Sequence, residues 1–142
     1  MKKGLIGVLS LLLVILLTGC QEKATPEERL AEYVGHWNKG DFATMYKDYL
    51  NKGTKEVFGT ENFVKRQEGL HKDLGIENVK VTYKKPAKDT KWDTEKPADF
   101  PIKVSMDTAA GPVEFKKTIK LVHETHDKNE NWFVEWDTSF IF

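Results

Sequence analysis

An α+β fold, helices first and an antiparallel sheet after, is what this sequence predicts, on three observations. Apolar residues recur at helical spacing as far as Gly75, they alternate with polar ones from Val79 onward, and Gly or Gly-Pro signals separate the blocks. The plan expected is three N-terminal helices packed on a curved four-stranded antiparallel sheet, because such a sheet must bury one face against the helices.

A leader precedes the first helix. Lys2 and Lys3 supply a positive start, residues 5–17 are almost wholly apolar, and small residues sit just before Cys20, the only cysteine in the chain. This is the layout of a secretory signal, and it is shorter than the run of about 20 apolar residues that a spanning helix needs. Leu17-Thr18-Gly19-Cys20 resembles the bacterial lipobox. That resemblance implies a signal peptide over residues 1–19, cleavage before Cys20 and lipidation of Cys20, where a thiolate is the nucleophile able to take the lipid. Two acyl chains such as palmitate hold a protein stably where one does not, so the partner expected through Cys20 is a membrane, with the domain outside the cytoplasm. Residues 20–24 read as a short tether, and residues 25–142 as the domain.

Thr25-Pro26-Glu27-Glu28 combines an N-cap Thr, Pro at the first helical position and an acid at the third, a capping box. Leu30, Tyr33, Val34 and Trp37 then give one apolar stripe, and Gly40 ends the helix. Asp41 caps a second helix whose face is Phe42, Met45, Tyr46, Tyr49 and Leu50, stopped by Asn51-Lys52-Gly53. A connector with Val57 and Phe58 leads to Thr60, expected to cap a third helix carrying Phe63, Val64, Gln67, Leu70 and Leu74 up to Gly75.

Val79, Val81 and Tyr83 alternate with Lys80, Thr82 and Lys84 in the first strand. Residues 85–99, with Pro86, Pro97 and many charges, read as an exposed loop. Phe100, Ile102, Val104 and Met106 form the second strand, and Ala110-Gly111-Pro112 a turn. In the third strand, Val113, Phe115, Ile119 and Leu121 alternate, with Lys117 breaking the apolar side. A turn over residues 127–131 leads to a fourth strand with Trp132, Val134 and Trp136.

The 22 basic and 22 acidic residues balance, so no overall charge argues for a nucleic-acid partner. With Cys20 taken by lipid no intrachain disulfide forms, and packing of four Trp, eight Phe and four Tyr must hold the fold.

Four stretches of the sequence carry a family resemblance: Tyr33 to Tyr46, Phe63 to Arg66, Lys103 to Val113, and Trp132 to Phe142, reading WFVEWDTSFIF. They resemble the N-terminal domain of low-affinity, methicillin-resistance-type class B penicillin-binding proteins of Gram-positive bacteria. The resemblance implies a cone like that of nuclear transport factor 2 (NTF2) and a non-catalytic extension between membrane anchor and transpeptidase. It also implies cell-wall or penicillin-binding proteins as partners and a link to the β-lactam response. Acylation by a β-lactam needs Ser-x-x-Lys with Ser-x-Asn and Lys-Thr-Gly elements. Ser10, Ser105 and Ser139 each lack a Lys three residues on, and Lys52-Gly53-Thr54 has the wrong order. Family members continue past the position of Phe142, so a truncated remnant of a penicillin-binding protein is a further reading.

His123-Glu124-Thr125-His126 pairs two imidazoles, but on a strand they point to opposite faces, and the zinc-protease pattern requires a helix. His36 and His71 have no partner at ligand spacing, so neither metal nor cofactor is expected. Some NTF2-like relatives are isomerases, which makes a small-ligand-binding or isomerase-like cone the alternative. Asp41 or Asp48 would then act as base and Tyr46 as donor to an oxyanion. Trp37, Trp132 and Trp136 fit either packing or a ligand pocket, and Trp92 either an exposed contact or a cover for the sheet edge. The expectation is a domain without enzymatic activity.

Overall fold

A computed structural model describes residues 23–136. Four α-helices precede a four-stranded antiparallel sheet of order β1-β2-β3-β4, curled around them. The helices are α1 (Pro26–Lys39), α2 (Phe42–Thr44, widening into a π-helical turn over Met45–Tyr49), α3 (Lys52–Val57) and α4 (Thr60–Leu74). The strands are β1 (Glu77–Tyr83), β2 (Ala98–Thr108), β3 (Gly111–His126) and β4 (Asn129–Glu135).

The capping box forms as the sequence requires: the Glu28 amide donates to Thr25 Oγ1 at 3.2 Å and the Thr25 amide donates to Glu28 Oε2 at 2.7 Å. Leu30, Tyr33, Val34 and Trp37 are buried. Gly40 and Gly75 close α1 and α4 in the left-handed conformation, with φ of 70° and 60°. In the π turn, with its wider circumference, Met45, Tyr46, Tyr49 and Leu50 all reach the interior.

Two helical expectations need correction. The expected three helices are four, because Asn51-Lys52-Gly53 does not end helical structure but starts α3. Asn51 Oδ1 accepts the Thr54 amide at 2.9 Å, which makes Asn51 an N-cap. Thr60 is the first residue of α4 rather than its cap. Gly59 occupies the cap position and, having no side chain, makes no cap bond; Glu61 places an acid in the first turn, which favours the helix N-terminus. On α4 only Phe63 and Gln67 are buried, while Leu74 at its last position is 41% exposed.

In β2 the alternation is complete: Ala98, Phe100, Ile102, Val104 and Met106 are buried and the residues between them face out. The strand starts at Ala98, so the predicted loop gives up its last two residues to the sheet. Trp92 is half-buried with its ring 5.5 Å from that of Phe100, so it covers the sheet rather than standing free. The last turn is tighter than expected. Asp127 and Lys128, at φ of 47° and 72°, form a two-residue hairpin of the kind that matches strand twist.

An unprotected β4 edge would expose a row of unpaired backbone groups. Here the chain after the π turn covers it: Leu50 bridges Val134, the Asn51 amide donates to the Val134 carbonyl at 2.9 Å, and the Trp136 amide donates to Thr54 Oγ1 at 2.9 Å. Among the described residues no helix is long and apolar enough to cross a membrane.

Candidate functional site

The concave side of the sheet faces α1, the π turn and α4, and it is where a cone of this shape would hold a ligand. Aromatic side chains occupy it. Trp37 lies 6.1 Å from Tyr33 and 6.2 Å from Trp136, and Phe63 meets Trp136 edge-on at 5.3 Å. Lys117 enters from β3 on this face, its ammonium 5.1 Å from the Trp136 ring and 5.8 Å from Trp37. That accounts for the lysine that interrupts the apolar side of β3. The space left between Tyr33, Lys117, Ile119, Val134 and Trp136 is about 10 Å³, room for one water at most.

Two buried polar atoms border this interior. The Tyr33 hydroxyl and the Gln67 amide nitrogen have no hydrogen-bond partner among the described residues, and burial raises the Tyr33 phenol well above its usual range. Among the described residues the buried polar side chains are Asn51, Thr54 and Gln67, with no carboxylate.

The groups that an isomerase-like reading would use are spent on structure. Asp41 caps α2: hydrogen bonds from Thr44, followed by the contact of His36 Nδ1 at 2.9 Å, hold its carboxyl below the ordinary aspartate range. Asp48 is exposed, and its carbonyl accepts from Arg29 Nη2 at 2.5 Å. Tyr46 donates its hydroxyl to the Phe58 carbonyl at 2.6 Å, so that proton is committed to joining the π turn to the end of α3. These three side chains do not converge on one point.

The four histidines are likewise separate. His123 packs edge-on against Trp132 at 5.2 Å, whereas His126 stacks on Phe133 at 3.7 Å and contacts Glu124 at 2.9 Å, which places the two on opposite faces of β3. Burial of Glu124 would raise its pKa. The His126 contact and the Lys52 amide outweigh that effect and hold it below the usual range. His71 meets Phe42 edge-on at 5.0 Å, and burial lowers its pKa. Among the described residues no three His, Cys, Asp or Glu side chains cluster as metal ligands would. Cys20, expected as the lipid attachment point, lies outside the described residues.

Arg29 was not singled out by the sequence, yet it ties the two halves together. Its guanidinium lies 4.2 Å from the Tyr49 ring and 5.7 Å from Phe133, while Nε donates to the Trp132 carbonyl at 3.2 Å. Phe133 interrupts the period-2 set of Trp132, Val134 and Trp136, a sign that both faces of β4 are covered, and His126 and Arg29 cover the second.

Two comparisons bear on this fold. The chain is 37% identical over 142 residues to penicillin-binding protein 3 of Bacillus subtilis (strain 168), a match that covers all of this chain and 21% of that protein's length. Residues 25–142, which begin at the Thr25 cap, match the family described as NTF2-like N-terminal transpeptidase domain. With the helices, the curled sheet and this match in agreement, the chain belongs to the NTF2-like N-terminal domain family of penicillin-binding proteins.

Proposed function

We propose that this chain is a lipid-anchored, extracytoplasmic spacer and interaction domain without catalytic activity. It is held through Cys20 at the cell membrane of a Gram-positive bacterium. It works beside cell-wall or penicillin-binding proteins, with a link to the β-lactam response. The observation that carries this reading is the filled interior: Trp37, Phe63, Trp136 and Lys117 occupy the place where a catalytic cone would admit substrate. A general base needs partial desolvation beside a bound substrate. Asp41 and Asp48 are instead, respectively, a helix cap and an exposed side chain.

Membrane fractionation, metabolic lipid labelling and a fluorescent penicillin test the proposal together. The expected result is a lipid-labelled protein in the membrane fraction, loss of the label in Cys20→Ala, and no covalent penicillin adduct. A penicillin-labelled band that survives denaturation, or undiminished lipid labelling of Cys20→Ala, would overturn it.

A further inference from the structure

The outer face of the sheet carries a groove that the spacer reading leaves unused. Its floor carries the short side chains of Thr82, Pro101 and Thr118, and the long side chains of Lys84, Lys103 and Lys116 stand at its sides, bordering an open depression of about 500 Å³. Lys103 and Lys116 stand directly opposite each other on β2 and β3, and Thr82 faces Lys103 from β1. Like charges directly opposed on a sheet face destabilise it. Glu114 relieves part of this by pairing with Lys103 at 2.7 Å, and Glu135 takes Lys120 further along β3 at 3.7 Å. Neither acid lines the groove, and Lys84 and Lys116 have no ion pair among the described residues. Lys80, exposed in the middle of β1 opposite Ser105, adds a further positive charge. In a chain whose charges balance, a groove whose charged lining residues are all lysines is a local segregation.

We infer that this groove is a docking surface for a linear polyanion bearing phosphate groups along its length. Lysine ammonium groups bind phosphate oxygens as point charges, and the Thr82 and Thr118 hydroxyls on the floor can donate to the same oxygens. An extended chain can lie in a depression with short side chains below and cations on both sides, whereas a flat bilayer would touch only the lysine tips. Single-stranded nucleic acid would need aromatic platforms for its bases. Tyr83, the aromatic residue here, instead gives its hydroxyl to Glu27 of α1 at 2.9 Å. The inference goes beyond the spacer reading and does not depend on the anchor, so loss of the lipid at Cys20 would leave it standing.

Titration of the full chain with long-chain inorganic polyphosphate, in parallel with vesicles containing phosphatidylglycerol, tests the groove. The variants are Lys84→Glu/Lys116→Glu and, as a charge-matched control, Lys65→Glu/Lys72→Glu on exposed positions of α4. Salt-sensitive polyphosphate binding is expected, weakened about tenfold or more in the groove variant and little changed in the control. Thermal melts should show both variants folded; if the groove variant does not fold, Lys84→Gln/Lys116→Gln takes its place with the same expectation. No polyphosphate binding, equal weakening by both pairs, or binding to the vesicles alone would each overturn the inference, the last by assigning the face to a lipid surface.

Discussion

Replacing Thr54 by valine isolates the contact by which α3 closes the β4 edge. Thr54 is 5% exposed, and its Oγ1 accepts the Trp136 amide at 2.9 Å. Its own amide donates to Asn51 Oδ1, a bond made by the backbone that survives the change. Valine is close to threonine in volume, so no appreciable cavity opens, and the loss reduces to one buried donor left without an acceptor. Such a loss costs about 1–3 kcal/mol. A domain of roughly 110 residues has an unfolding entropy near 0.23 kcal/mol/K at its midpoint, so the melting temperature should fall by about 4–13 °C. Thr54→Ser keeps the oxygen and removes one methyl, worth about 0.8 kcal/mol. Thermal denaturation followed by circular dichroism should therefore rank wild type, serine and valine in that order, and hydrogen exchange at the Trp136 amide should accelerate in the valine variant alone. A valine variant melting within about 2 °C of wild type, or above the serine variant, would refute the account of α3 as the structural cover of the edge.

Trp37→Ala empties the centre of the aromatic interior and should cost about 3–5 kcal/mol by urea denaturation; a near-neutral result would show that Trp37 is not core. Gly75 has φ of 60°, and a Cβ there would meet the Ala109 Cβ and amide nitrogen at 3.3 Å. Gly75→Ala should therefore cost about 1–2 kcal/mol from backbone strain, with the contact adding to it, and unchanged stability would contradict this conformation. Burial, then the hydrogen bond and charge of Glu27, push the Tyr83 phenol up to about 12. The folded value lies above the unfolded one near 10, so the Tyr83 contribution to stability is complete below pH ~10 and disappears as pH rises toward ~12. Difference absorbance titration of wild type against Tyr83→Phe should reveal one phenol titrating near the raised value, and a midpoint in the ordinary range would exclude the Glu27 contact.

Wherever a local rule sufficed, the structure was legible in advance. The capping box at Thr25, the stripe from Leu30 to Trp37, the glycine stops and the period-2 burial of β2 each depend on residues a few positions apart. The α3 helix was missed because Asn51-Lys52-Gly53 serves equally as a stop or as a cap, and the choice rests on pairing with Val134, more than 80 residues on. Arg29 was passed over for the same reason: its partners, Tyr49 and Phe133, come from the π turn and the last strand. The catalytic candidates failed in the other direction. Asp41, Asp48 and Tyr46 lie close in sequence, but helix geometry sends one to a cap, one to solvent and one to a backbone carbonyl.

By itself, then, the sequence determined the α+β order and the core stripes, because periodicity and caps are short-range properties of a chain, and its four matching stretches carried the resemblance to the family. Only the tertiary structure decided that the concave side is filled, that Lys117 lies against Trp37 and Trp136, and that lysines of two strands meet across an outer groove. Sheet register sets those neighbours, and register is the sum of pairings between distant residues that no local pattern encodes.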